Sequence, residues 1–244
     1  MEAVMRILPA GDLALVVEFG NEISTACNGR VRQLNQRLRK KGIKGIIETV
    51  PTFRSLLVYY NPSIITYKKL CNYIESVSKE AGDMEVKTNR IIEIPVCYGG
   101  QYGEDLCDVA KYVGMSEEEV IQLHSGVDYL IYMLGFLPGF PYLGGLDQRL
   151  VTPRLANPRT SIPAGSVGIG GEQTGVYPME SPGGWRLIGR TPLKLYDSGR
   201  EKPTLYEAGD YIHFKPIDEA EFLSIEELVK SGQYQCKITV KNSL

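Results

Sequence analysis

The chain has 244 residues, 43% of them apolar and 23% charged, with a net charge of −2. A chain of this size buries a substantial core and holds one large domain or two ordinary ones, and its near-neutral charge argues against nucleic acid or an anionic membrane as partner. It has neither a basic leader with an apolar run behind it nor any window near eighteen uninterrupted apolar residues, so no membrane association and a cytoplasmic location are expected.

Met5–Leu8 and Leu13–Phe19 read as paired strands around a Pro-Ala-Gly-Asp turn. Ile23, Cys27, Val31, Leu34 and Leu38 recur at helical spacing, with Asn21 as cap, Arg39 to Lys41 at the negative end of the dipole and Gly42 as terminator. Gly45–Val50 and Ser55–Tyr60 flank a turn as a hairpin. Thr66 caps a second helix that points Tyr67, Leu70, Cys71, Ile74 and Val77 inward, with Gly82 after its end. Counting Arg90–Val96 as the last strand, the order β-α-β-β-α-β predicts a small split βαβ domain over residues 1–86, with the boundary in the polar segment Asp83–Asn89 and a second domain over 87–244.

The second domain opens with two short helices. Leu106, Val109, Ala110 and Val113 form an apolar face ended by Gly114, and Ser116 with Glu119 makes a capping box for the next helix. The pair resembles a helix-turn-helix, but the helix that would enter the groove begins with Glu117, Glu118 and Glu119 and would meet a polyanion. Strands are expected at Tyr129–Leu134, Leu193–Tyr196, Asp210–Phe214 and Tyr234–Val240, and a helix at Asp218–Lys230. Many short strands between Gly/Pro turns indicate a closed or sandwich-like β architecture.

Between the second-domain strands, Gly135 to Gly189 is under a quarter of the chain yet holds 12 of its 26 glycines and 7 of its 14 prolines. A flexible linker would be poor in large apolar residues. This stretch interleaves Phe136, Phe140, Tyr142, Tyr177 and Trp185, so it reads as ordered functional loops. Core packing is expected for Trp185 and Phe136. Phe140 and Tyr142, on the extended path forced by Pro138 and Pro141, are expected to line a rim.

Catalytic constellations are mostly absent: there is no Gly-Lys dipeptide and hence no phosphate loop, no G-x-G-x-x-G and no G-x-S-x-G elbow. Cys27, Cys71, Cys97, Cys107 and Cys236 are widely spaced with no C-x-x-C and read as reduced thiols. His124 and His213 are the two histidines, so no metal site is predicted on this chain. His124, at a helix end, suits a structural role better than a catalytic one, and His213 has no assigned role. Between Lys111 and Lys194 the cations are all arginine: Arg149, Arg154, Arg159, Arg186 and Arg190. Arginine's planar fork suits carboxylate or phosphate recognition. These arginines are therefore candidates for an anionic ligand or an acidic partner surface, the alternative being structural pairing with Asp147, Glu172, Glu180 or Asp197.

The runs Gly135-Phe-Leu-Pro-Gly-Phe-Pro-Tyr-Leu-Gly-Gly-Leu-Asp147, Ile162-Pro-Ala-Gly-Ser-Val-Gly168, Gln173-Thr-Gly-Val-Tyr-Pro178 and Ser181-Pro-Gly-Gly-Trp-Arg-Leu-Ile-Gly-Arg-Thr-Pro192 resemble those of the KipI family, whose members are also called 5-oxoprolinase B subunits or allophanate hydrolase subunit 1. The resemblance is weak before Arg90 and strong from His124 to Asp197. It implies an α+β chain: a small split-βαβ N-terminal domain and a cyclophilin-like β-barrel C-terminal domain. It implies a cytoplasmic hydrolase complex that opens 5-oxo-L-proline to L-glutamate with ATP hydrolysis, with the ATP site not on this chain alone. The implied partners are the other two kinds of 5-oxoprolinase chain, one KipA-like and one LamB/YcsF-like. Two other readings follow from the same resemblance, an inhibitor of a sensor histidine kinase and a carboxyltransferase-type component that acts on urea-like substrates. The candidate binding residues are His124, Phe136, Pro138, Phe140, Tyr142, Arg154, Arg159, Gln173, Tyr177, Trp185, Arg186 and Arg190, and no catalytic group is identified.

Overall fold

The structure, a computed structural model, describes residues 5–80 and 90–240, which fall into two compact units, Met1–Lys87 and Thr88–Leu244. The expected domain boundary and the terminating role of Gly82 lie outside the described residues.

In the first unit, β1 (Arg6–Pro9), β2 (Ala14–Glu18), α1 (Thr25–Lys41), β3 (Ile46–Pro51), β4 (Ser55–Tyr60) and α2 (Tyr67–Ser78) follow in chain order. The sheet order is β1-β2-β4-β3 with every neighbour antiparallel. Strands β2 and β3 therefore run parallel with β4 between them and α1 as their crossover, which is a split βαβ unit. Alternation in the strands turns Leu15, Val17, Leu56 and Val58 onto the helices, where they meet Val31, Leu34, Leu38, Leu70, Ile74 and Val77. The cap of α1 is Ser24, whose Oγ accepts the Cys27 N–H at 3.2 Å, and not Asn21; starting there aligns the apolar stripe and leaves Ile23 outside the helix and exposed. Thr66 caps α2 as expected. Tyr67 is exposed instead of inward, because side chains tilt toward the helix N-terminus and the first residue projects past the core.

The strand expected to complete the first unit belongs to the second. There β5 (Arg90–Tyr98) is central to a sheet of eight strands. The order of elements after it is α3 (Leu106–Val113), α4 (Glu117–Ser125), β6 (Asp128–Leu134), β7 (Pro141–Gly144), β8 (Arg159–Ile162), β9 (Ser166–Gly170), β10 (Gln173–Val176), β11 (Ser181–Gly183), β12 (Arg186–Arg190), β13 (Tyr211–Ile217), α5 (Glu219–Lys230) and β14 (Ile238–Val240). The sheet path is β10-β9-β12-β5-β13-β6-β7, with β14 also on β5, and its ends β10 and β7 approach one another into a nearly closed barrel. Strands β8 and β11 form a separate two-stranded sheet.

Strand β5 pairs with β13 along most of its length on one side; on the other it pairs with β14 through Arg90–Ile92 and with β12 through Cys97 and Tyr98. Glu93 N–H still points to the β14 side, donating to Lys237, so two residues on Pro95 presents its missing N–H to the gap between the two partners. A proline in a central strand is tolerated only where no donor is required. Helix α4 carries the full capping box, Ser116 and Glu119 exchanging bonds of 3.2 and 2.8 Å. The segment expected as a strand at Leu193–Tyr196 is irregular, holding one isolated bridge from Tyr196 to Thr204; the Leu193 N–H is taken locally by Thr191 Oγ1 at 3.3 Å and not by a ladder partner. The final strand is shorter than expected, Ile238–Val240.

Candidate functional site

The four sequence runs converge. Phe140 at the end of the β6–β7 loop, Ile162 of β8, Tyr177 after β10, Trp185 before β12 and Leu187 of β12 form a buried cluster of their own, with Leu137 and Tyr142 packed on it. Phe140 sits at the centre. Its ring meets Phe136, Tyr142, Tyr177 and Trp185 edge-on at centroid separations of 5.4 to 5.9 Å, the geometry that aromatic quadrupoles favour. Phe140 is thus buried and not on the rim; the loop bond from Gly135 N–H to the Phe140 carbonyl at 3.1 Å folds it inward. Gly170 is required beneath Trp185, because a Cβ there would overlap the indole ring.

Phe136 is the reverse case. Its composition points to core packing, yet it is 68% exposed and is the one non-glycine residue with positive φ among the described residues, at 67°. A left-handed backbone is disfavoured for a bulky side chain, and here it turns the ring outward over the cluster. Pro138 is exposed beside it, and Tyr142 is half-buried. Gln173 pairs with Gly170 across the β9–β10 hairpin, so its side chain shares the face that carries Trp185.

The five arginines separate by partner. Arg159 donates to Asp105 Oδ1 at 2.8 Å, approaches Glu104 at 3.1 Å and reaches the Trp185 carbonyl at 3.5 Å. Asp105 is buried and also accepts the Leu187 N–H at 2.6 Å. Arg186 donates to the Pro153 carbonyl at 3.1 Å, and Arg149 pairs with Asp147 at 2.7 Å. Of the four acids named as structural partners only Asp147 takes one of these arginines; the acids that hold Arg159 come from the start of α3. Among the described residues Arg154 and Arg190 have ring faces in place of carboxylates, Arg154 lying 5.9 Å from the Trp185 ring and Arg190 6.0 Å from that of Tyr102. Burial raises the pKa of the Tyr177 phenol, while the charges of Arg154 and Arg159 and the Trp185 backbone pull it down.

His124 is in the barrel core, away from this cluster. Its Nε2 is 2.7 Å from Thr174 Oγ1, whose proton goes to the Gly168 carbonyl at 3.0 Å, so the imidazole donates there. Its Nδ1 then accepts from the Tyr98 hydroxyl at 2.8 Å, and the ring stacks on Phe214 at 4.9 Å. Burial lowers its pKa to about 3. Both nitrogens are engaged, which makes His124 a neutral structural group.

Phe136, Pro138, Tyr142, Gln173 and Arg154 thus border one surface over Phe140, Tyr177 and Trp185, with Arg159 and Arg186 behind as braces; His124 and Arg190 lie elsewhere. Residues not singled out from sequence are Glu104, Asp105, Ile162 and Leu187. The acidic pair opening α3 is visible in the sequence, but nothing local ties it to an arginine 54 residues on. The surface can bind through an aromatic, a proline and a cation. Among the described residues no group of three or more His, Cys, Asp or Glu is placed to hold a metal ion, and no helix is long and apolar enough to cross a membrane.

Residues 5–206 match the carboxyltransferase domain, subdomain C and D. The chain is 47% identical over 234 residues to the 5-oxoprolinase B subunit of Bacillus subtilis, covering 91% of this chain and 97% of that one. Among solved structures, it superposes on TTHA0988 with a TM-score of 0.75 and 35% identity, covering 84% of this chain and 40% of that one. It superposes on the Kluyveromyces lactis urea carboxylase with a TM-score of 0.76 and 23% identity over 97% of this chain and 24% of that one, a likeness of fold alone.

Proposed function

We infer the function from one premise: the chain belongs to the carboxyltransferase subdomain C and D family, among its 5-oxoprolinase B subunits. It is the B subunit of 5-oxoprolinase, a hydrolase built from more than one kind of chain. The observation that carries this is the end-to-end match at 47% identity, 97% of the relative's length being covered.

Within that assignment, we propose that the complex opens the lactam of 5-oxo-L-proline to L-glutamate at the expense of ATP. A lactam is a poor electrophile, and phosphorylation of its carbonyl oxygen creates a leaving group for water to displace. In this proposal the ATP site is completed by the partner chains, one KipA-like and one LamB/YcsF-like, and this chain alone turns nothing over, since it has no phosphate loop. The rim of Phe136, Pro138, Tyr142 and Arg154 over the buried rings is its contact face for partner or substrate. Exposed aromatics backed by a rigid cluster, with an adjacent arginine, are the residue types that dominate binding energy.

The test is 5-oxoproline-dependent ATP hydrolysis by the co-encoded chains, with this one present and absent. Turnover only when it is present is expected. Turnover without it, or by this chain alone, rejects the proposal.

A further inference from the structure

We propose that a second site, separate from the aromatic rim, binds a small ligand through its carboxylate or phosphate group, with Arg190 as the recognising cation. It is an open groove of about 820 Å³ between the loops at Ala164, Pro178 and Arg190 on one side and Phe222 and Lys230 of α5 on the other.

Four cations and two carboxylates line it: Arg190, Lys194, Arg200 and Lys230 against Asp197 and Glu226. Three of the cations are occupied. Lys194 and Arg200 share Asp197 at 2.9 and 3.7 Å, and Lys230 contacts Glu226 at 2.9 Å and Glu227 at 3.0 Å. Arg190 is half-buried and has no carboxylate partner among the described residues; it is held by the face of Tyr102. That platform is fixed. The Tyr102 hydroxyl donates to Glu219 at 3.2 Å and its ring packs on Phe222 at 4.4 Å. A guanidinium that lies over a ring and has no carboxylate partner among the described residues has N–H groups available for bidentate bonds to an oxyanion.

The wall that carries Arg190 is built with similar care. Gly165 has φ 83°, and a Cβ there would overlap the Thr191 carbonyl. Its N–H donates to Tyr177 O at 2.7 Å, and its carbonyl accepts Thr191 N–H at 2.9 Å. Three loops are thereby locked side by side, and Tyr177 enters the aromatic cluster while the next residue, Pro178, faces the groove. The apolar surfaces of Ala164, Pro178 and Phe222 suit a compact ligand body and leave the anionic group to Arg190. A preformed wall costs a ligand little ordering entropy on binding.

The experiment is calorimetric titration of the purified full chain with two probes, inorganic phosphate and 5-oxo-L-proline, for the wild type, Arg190→Gln, Arg190→Lys and Arg149→Gln. Saturable binding of at least one probe is expected, weakened tenfold or more by Arg190→Gln, partly restored by Arg190→Lys and unchanged by Arg149→Gln. Which probe binds decides between a phosphate and a carboxylate source. Arg190→Lys preserves charge and fold, so it carries the comparison if the glutamine variant melts early. Absence of saturable binding by the folded wild type, or equal binding by wild type and both Arg190 variants, overturns the proposal. Because the readout is binding by the isolated chain, it stands or falls independently of turnover by the assembled complex.

Discussion

Arg159 and Asp105 tie the start of α3 to the strands that carry the aromatic cluster, through a 2.8 Å ion pair in which Asp105 also takes the Leu187 N–H. The carboxylate is buried, with both of its oxygens used, and the guanidinium is largely covered. Removing one partner of such a pair leaves the other uncompensated, at roughly 3–5 kcal/mol. Glu104 remains within reach of Arg159, so Asp105→Ala is expected at the low end, about 3 kcal/mol, or roughly 6 to 12 °C in the melting temperature of the second unit. A double-mutant cycle with Arg159→Ala should show strong coupling. Additive losses would mean that the pair is incidental to stability.

His124 predicts a pH dependence with a definite sign. Its folded-state pKa of about 3 lies below the unfolded value of about 6.5. Between those values the unfolded chain takes up a proton that the folded chain refuses, so stability falls as pH drops below about 6.5 and this group adds no slope above it. From pH 7 to pH 5 the loss is about 2 kcal/mol. Denaturant midpoints at the two pH values check this against His124→Gln, whose amide can donate to Thr174 and accept from Tyr98 but does not titrate. The glutamine variant should be less pH-sensitive by that amount. Equal sensitivity in both proteins would contradict a buried neutral imidazole.

Much of the fold is legible where the signal is local. The capping box at Ser116 and Glu119, the Gly42 and Gly114 helix ends, the Val31, Leu34 and Leu38 part of the α1 stripe and the helix over Glu219–Lys230 depend on spacings within a few residues, and the structure realises each. Strand partnership is not legible: Arg90–Tyr98 has the composition of a strand in either unit, and only the register with β13 and β12 assigns it. The candidate site is legible as a set, because the aromatic, glycine-rich runs do meet. Its inside and outside are exchanged for Phe136 and Phe140. An extended Pro-flanked path does not specify a face, and a positive φ at a phenylalanine has no composition signature. The Arg159–Asp105 pair spans 54 residues, beyond any periodic pattern.

Gly170→Ala tests the close approach that shapes the cluster. The added methyl meets the Trp185 indole at Cδ1 and Nε1, and overpacking of this kind costs roughly 1–3 kcal/mol. Trp185 is the only tryptophan in the chain, so its fluorescence reports directly on the displacement. A shifted emission maximum and a lower melting temperature are expected together. An unchanged spectrum with full stability would show that the ring moves aside freely and that the cluster is not rigid.

Phe136 separates stability from function most cleanly. Its ring is largely exposed, it meets the Phe140 ring at 5.9 Å, and its backbone is left-handed. Glycine adopts that backbone without penalty, whereas an L side chain there carries roughly 1–2 kcal/mol of strain. Phe136→Gly gains that relief and loses a little packing and unfolded-chain restriction, so the melting temperature should stay within a few degrees of wild type. If the rim contacts a partner or substrate, the same change removes an aromatic anchor, and anchors of this type contribute about 2 kcal/mol or more, roughly a thirtyfold effect. The measurements are melting of the isolated chain, its affinity for the other chains of the complex, and 5-oxoproline-dependent ATP hydrolysis by the assembly. Phe136→Leu retains the strained backbone with an apolar side chain and should recover part of the loss. Arg154→Lys, which keeps charge but loses the planar face over Trp185, should weaken the same step tenfold or more with unchanged melting. Wild-type affinity and turnover in both Phe136 variants and in Arg154→Lys would remove the rim from the contact face and leave the strain at Phe136 without a function.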